Sequence, residues 1–223
     1  MKKLINTLIT ISIFLSISTI IGFVMLNNKL DTITTPKNNI EVNTQNNQLD
    51  SIKTQLDSLV NKIAIINKQL KPLKKFFNAI GFSESGNNYN AVNTFGYIGK
   101  YQFGYHGLVQ ARVCDNIVQA KKFRNKFINT PDSLKLNIWS KIEQDKAMLV
   151  LITYNRKVLK EYIKNYEGKI INGINITESG ILAAAHLSGP TGVKKYFDDN
   201  INRTDGYGTS ITSYLKKFRG YDV

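Results

Sequence analysis

Hydrophobic residues fall into three patterns along this chain. The first is residues 5–26, an uncharged and mostly apolar run. At about 1.5 Å per residue, a helix of that length crosses the roughly 30 Å hydrocarbon core of a bilayer. Lys2 and Lys3 precede the run, so the positive-inside rule keeps the N-terminus inside and sends everything after Leu26 outward. A cleaved signal peptide would share the basic start. However, no alanine occurs before Ala64, which removes an A-x-A cleavage site, and Ser16-Ile17-Ser18 is a poorer substitute. The expectation is an uncleaved single-pass anchor, with secretion after cleavage as the alternative.

The second pattern follows a polar stretch. Residues 28–45 are rich in Asn and Thr, contain Pro36 and show no apolar period, which reads as a linker. Then Leu49, Ile52, Leu56, Leu59, Ile63, Ile66, Leu70 and Leu73 alternate spacings of three and four. That is an a/d seam of about three and a half heptads, as in a coiled coil. Such a helix joins copies of itself, or lays its stripe on a partner helix or on the domain that follows. The flanking e and g positions, Gln48, Lys53, Gln55, Val60, Lys62, Asn67 and Gln69, include no acid, so no charge code selects a partner. Val60 and Ile65 widen the apolar face. Pro72 predicts a break or restart of the helix.

The third pattern begins at Pro72, where aromatics and glycines become frequent. Leu73, Phe76, Phe77 and Ile80 share one helical face. Residues 133–166 predict one or two long helices through Leu134, Ile138, Ile142, Leu149, Ile152 and Leu159, and residues 178–187 and 209–219 predict two more. A hairpin is indicated only in the Gly-rich section 93–104. The fold class is mainly α: an anchor at 1–27, a linker at 28–45, a coiled-coil helix at 46–71 and a globular domain at 72–223.

Composition narrows the function. Hydrophobic content of 42% suffices for a packed core. Cys114 is the only cysteine, so an intrachain disulfide is excluded, and with two histidines there are too few soft ligands for a dedicated metal cage. No cofactor is called for. A net charge of +14 favours anionic partners such as lipid headgroups or acidic polymers. Nucleic acid is set aside, because the densest basic run, Lys121-Lys122-Phe123-Arg124-Asn125-Lys126, is short and belongs to no reading motif.

Four stretches carry candidate chemistry. In Phe82-Ser83-Glu84-Ser85-Gly86 an apolar helix face runs into a carboxylate and then a helix stop. There the helix dipole and desolvation both disfavour the charged carboxylate, as general acid catalysis requires. A surface glutamate in a last turn would read the same way. In Phe95-Gly96-Tyr97-Ile98-Gly99-Lys100-Tyr101-Gln102-Phe103-Gly104, glycines let backbone approach a ligand, Tyr97 and Tyr101 offer flat faces for sugar rings, and Gln102 can bond hydroxyls or acetamido groups. A twisted hairpin with ordinary aromatic packing is the plainer reading. Ala183-Ala184-Ala185 permits tight helix packing, and His186 falls beside a Gly189-Pro190-Thr191-Gly192 turn, either lining a cleft or satisfied in the core. Thr209 or Ser210 is the expected cap of the last helix.

Glu84-Ser85-Gly86 with Tyr89-Asn90-Ala91-Val92-Asn93, then Gly96 to Gly104, then Ala184-Ala185-His186-Leu187 with Gly189 and Gly192, then Gly208-Thr209-Ser210 together resemble lytic transglycosylases of the lysozyme-like superfamily. The blocks occur in the family's order within residues 72–223. The resemblance implies a lysozyme-like α-helical domain, with a small β element allowed, around a cleft for peptidoglycan glycan strands. It implies that Glu84 is the catalytic acid/base, that Ser85 helps build the site, and that Gly99 and Gln102 form the Gly-x-x-Gln element. His186 stands where family members commonly carry a substrate-contacting tyrosine. The implied reaction cuts the β-1,4 bond between N-acetylmuramic acid and N-acetylglucosamine and closes a 1,6-anhydro ring. Asp115, Asp132 and Asp145 sit in no second-carboxylate motif, which favours transglycosylation over a hydrolytic muramidase. A catalytically inactive glycan-binding module and a coiled-coil envelope scaffold are the readings from other classes. In a bacterium the anchor would lie in the cytoplasmic (inner) membrane, with the domain in the periplasm or outside the cell.

Overall fold

In the computed structural model the described residues are 39–223, with side chains described from Asp50 onward except those of Ile66 and Gln69. The expected anchor, residues 5–26, lies outside them, as does most of the expected linker. Among the described residues no helix is long and apolar enough to cross a membrane. The chain divides between Gln69 and Leu70 into two compact units.

Helix α1 (Asn39–Ser85) contributes to both units. Residues 39–45, expected to be linker, are helical. In the first unit Ile52 and Leu56 of the heptad stripe and the flanking Val60 and Ile65 are exposed, while Leu59 and Ile63 are half-buried. In the second unit Phe76, Phe77 and Ile80 are buried, as the shared face predicts. Pro72 does not end the helix. Its ring removes a single amide donor, at a cost of about 3 kcal/mol, and burial of Phe76, Phe77 and Ile80 just beyond it offsets that loss.

The second unit is built almost wholly from helices. After a Gly-rich loop come α2 (Tyr105–Gln110), α3 (Ile117–Asn129), a 3-10 turn (Asp132–Leu134), α4 (Lys135–Ile138), α5 (Lys141–Val158) and α6 (Lys160–Tyr166). Residues 132–166 therefore form four pieces rather than one or two long helices. Trp139 adopts an extended conformation after α4, and Ser140 restarts the chain as α5 with a capping box to Glu143. Leu159 then separates α5 from α6.

Strands β1 (Ile170–Ile171) and β2 (Ile174–Asn175) form a short antiparallel hairpin that the sequence reading did not anticipate. Its turn residues, Asn172 and Gly173, both have positive φ (50° and 74°), the geometry that Asn-Gly turns favour. Helix α7 (Glu178–Asp199) is the centre of the core, with Ile181 to Ala185 all buried. It kinks at Gly189, beside Pro190, where the expected turn lies. Helix α8 (Ile211–Lys217) packs against α7 and is capped by Ser210.

Candidate active site

Glu84 lies in the last turn of α1. The helix stops there because Gly86 and Asn87 both adopt left-handed φ (63° and 64°), and their amides return to the carbonyls of Phe82 and Gly81. Gly and Asn reach that region at the lowest cost. The carboxylate is thus fixed where a helix end meets the Gly-rich loop. Its side chain is 17% exposed.

Two groups meet it. The Tyr214 hydroxyl of α8 donates to Oε1 at 2.5 Å. Burial, followed by the charge of Glu84, pushes that hydroxyl well above its usual ionisation range, so it stays a donor. His186 Nε2 lies 3.8 Å from the same oxygen, and its side chain is 5% exposed. Nε2 also lies 2.9 Å from the Tyr101 carbonyl. A carbonyl can only accept, so Nε2 donates to it and leaves Nδ1 as the ring's other polar atom. That Nδ1 is buried with no hydrogen-bond partner among the described residues, and neither does Gln102 Oε1 have one.

Ser85 clasps the helix end to the loop, donating from Oγ to the Lys100 carbonyl at 2.7 Å and accepting from the Asn88 amide at 3.1 Å. The loop itself folds on bridges between Val92 and Ile98 and between Ile98 and Phe103. Gly99 has φ of 76°, and a Cβ there would collide with the Gln144 amide, so both conformation and space demand glycine. Gln102 donates from Nε2 to the Gly99 carbonyl at 2.9 Å, closing the Gly-x-x-Gln element on itself. Fully buried Gln144 of α5 pins the loop from behind, accepting from the Lys100 amide and donating to the carbonyls of Tyr89 and Trp139.

Tyr97 is exposed, but Tyr101 offers no ring surface to a ligand, being fully buried. Its ring meets Phe77 and Phe103, and its hydroxyl donates to Asp145 at 2.7 Å. Tyr101 therefore serves the site through its carbonyl rather than through the stacking face expected of it. Tyr89 also donates to Asp145, and Lys100 Nζ, nearly buried, donates to Asn78 and Tyr89 and lies 3.5 Å from Asp145. Burial, then Asp145, raises the ionisation of both tyrosines.

The three aspartates that could have supplied a second carboxylate have other settings. Asp145 holds this cluster, Asp132 pairs with Lys135, and Asp115 is exposed ahead of α3. Sequence reasoning missed Tyr214, which it read as part of an amphipathic helix. Its partner lies 130 residues away, and no local pattern announces the pair. No family model, curated protein or solved structure matches the chain. Surface depressions of about 330 Å³ beside Glu167 and Tyr221 and about 390 Å³ beside Asn172 and Lys216 do not include Glu84. What marks Glu84 is converging polar groups, not the size of a hollow.

Proposed function

We propose that the chain cleaves the β-1,4 bonds between N-acetylmuramic acid and N-acetylglucosamine in peptidoglycan, by lytic transglycosylation, with Glu84 as its one catalytic carboxyl and a lysozyme-like catalytic domain. The observation that carries this reading is the setting of Glu84: sheltered at a helix end, held by Tyr214, and 3.8 Å from Nε2 of His186, whose Nδ1, like Oε1 of Gln102 in the Gly-rich loop, is buried without a hydrogen-bond partner among the described residues. A buried acceptor left unpaired costs about 1–3 kcal/mol. Sugar hydroxyls and acetamido N–H groups are donors that would satisfy such atoms.

Glu84 protonates the glycosidic oxygen as positive charge develops at the muramyl C1. The muramyl acetamido oxygen stabilises that centre from within the substrate, so a second protein carboxylate is not required. Ionised Glu84 then takes the proton of the muramyl 6-hydroxyl, which closes the anhydro ring. Tyr214 holds the carboxyl in place and steadies the carboxylate that the second step uses. The engagement of Asp145 and Asp132 elsewhere favours this route over hydrolysis.

Residues 5–26 hold the enzyme at the cytoplasmic (inner) membrane, and the heptad stripe joins copies of the chain or takes a partner helix. Glu84→Gln keeps the shape and the Tyr214 contact but removes the acid. Full-chain Glu84→Gln should still sediment with isolated sacculi while releasing no soluble fragments. Release at the parent rate would remove Glu84 from the mechanism.

A further inference from the structure

Two exposed aromatic rings from distant parts of the chain are held against each other, each on a loop that leads toward this site. Phe95, from the Gly-rich loop, is 52% exposed and Tyr207, from the loop before α8, is 58% exposed. Their rings meet edge to face with centroids 4.9 Å apart. The pair is held in place rather than loose. Tyr207 OH and Thr94 Oγ1 are 2.7 Å apart. Asp205 Oδ1 accepts from the amides of Tyr207 and Thr209, at 2.9 and 2.8 Å, and the Thr204–Ser210 bridge closes that loop. Asn93 Oδ1 accepts from the amides of Phe95 and Tyr97. Gly206 lies so close to the Phe95 ring that a Cβ would stand 2.6 Å from its edge. A fold that fixes two aromatic rings in solvent keeps their faces free for a flat, partly apolar ligand.

Each loop leads to a group tied to Glu84. The loop carrying Phe95 continues to Tyr101, whose carbonyl holds His186. The loop carrying Tyr207 feeds α8, and Tyr214 lies about 6 Å of helix rise beyond Ser210. The Asp205 charge that anchors Tyr207 also contributes to the upward push on the Tyr214 hydroxyl, so this loop stands within electrostatic reach of the catalytic pair.

We infer that Phe95 and Tyr207 form a sugar-stacking subsite that grips a pyranose ring of the glycan strand away from the cut bond. This rests on the glycan-cleaving reading and deepens it. Pyranose rings present C–H faces that pack on aromatic rings, and a remote grip of this kind shows in KM more than in kcat.

The test uses the full chain. Tyr207→Ala and Phe95→Ala should each raise KM for glycan strands about tenfold with kcat within about twofold, and should weaken binding of purified tetrasaccharide in the Glu84→Gln background to the same extent. Tyr207→Phe, which keeps the ring, should restore most of the binding. Tyr154→Ala, which removes an exposed aromatic on α5, controls for general loss of surface area. Unchanged melting temperatures separate lost stacking from lost folding. Unchanged KM and binding in both alanine variants would overturn the subsite while leaving Glu84 in place. A parent chain that neither binds nor cuts glycan would overturn the underlying reading, and the subsite with it.

Discussion

Helix α1 carries one apolar rhythm into two different settings. In residues 50–69 Ile52 and Leu56 of the stripe are exposed, as are Val60 and Ile65 beside it. A few turns later Phe76, Phe77 and Ile80 lie in a core shared with Tyr101, Phe218 and Tyr221. Periodicity tells which face of a helix is apolar. It does not tell what covers that face. The two halves differ in residue type: short aliphatic side chains in an unbroken heptad against aromatics at closer spacing. The first suits a seam between similar helices, and the second fills the irregular space beneath a loop.

Substitutions on the two halves should therefore act on different quantities. Phe76→Ala opens a cavity in the second unit and should cost about 3–5 kcal/mol in a denaturant titration. Leu56→Asn and Ile63→Asn together should leave that titration within about 0.5 kcal/mol of the parent, yet abolish self-association in sedimentation of the detergent-solubilised chain. Loss of folding in the second pair would show that the stripe is not a free seam. Position a holds Leu49, Leu56, Ile63 and Leu70 and position d holds Ile52, Leu59, Ile66 and Leu73, a mixture that selects no single strand number, and an in-register parallel assembly juxtaposes Gln48 with Lys53, Gln55 with Val60, Lys62 with Asn67 and Gln69 with Lys74, none of them a like-charge pair. A mass of two or more chains is expected; a monomeric mass at every concentration would contradict a self-pairing seam.

Smaller effects test how α1 hands over to the site. Tyr214→Phe keeps the ring in the core but removes the hydroxyl from Glu84, and should lower kcat by about 10- to 100-fold with the melting temperature little changed. Ser85→Ala should cost about 0.5–1.5 kcal/mol, since the clasp to the Lys100 carbonyl and the bond from the Asn88 amide are lost. The smallest effect lies far from α1. The Tyr162 hydroxyl donates to Asp198, and that bond, ahead of burial, raises it to about 12. A raised value in the folded state means that the stability it contributes is intact below about pH 10, where unfolded tyrosine ionises, and fades as pH climbs through about 12. Tyr162→Phe should make the fall in melting temperature between those pH values shallower.

Local chemistry made much of this legible in the sequence. The face containing Phe76, Phe77 and Ile80, the helix stop after Glu84, the turn at Gly189-Pro190 and the Ser210 cap each depend on residues within a few positions of one another. Two signals were present but unread. Asn172-Gly173 between isoleucines marks the β hairpin, and Ser140-Lys141-Ile142-Glu143 marks the start of α5. Other features had no local signature. The Tyr214–Glu84 bond, the Phe95–Tyr207 pair and the placement of Asp145 between Tyr89 and Tyr101 all join distant parts of the chain. Tyr101 was misjudged because aromatic residues near glycines suit a sugar platform and a loop's own core equally well, and its burial comes from distant partners, Phe77 and Asp145.

The most direct measurement is mass spectrometry of the soluble products that the full chain releases from purified peptidoglycan, run beside Glu84→Gln. Fragments ending in 1,6-anhydromuramic acid from the parent, and none from the variant, are the predicted result. The same fragments from both proteins, or none from either, would contradict the assignment of Glu84 as the acid that cuts the strand.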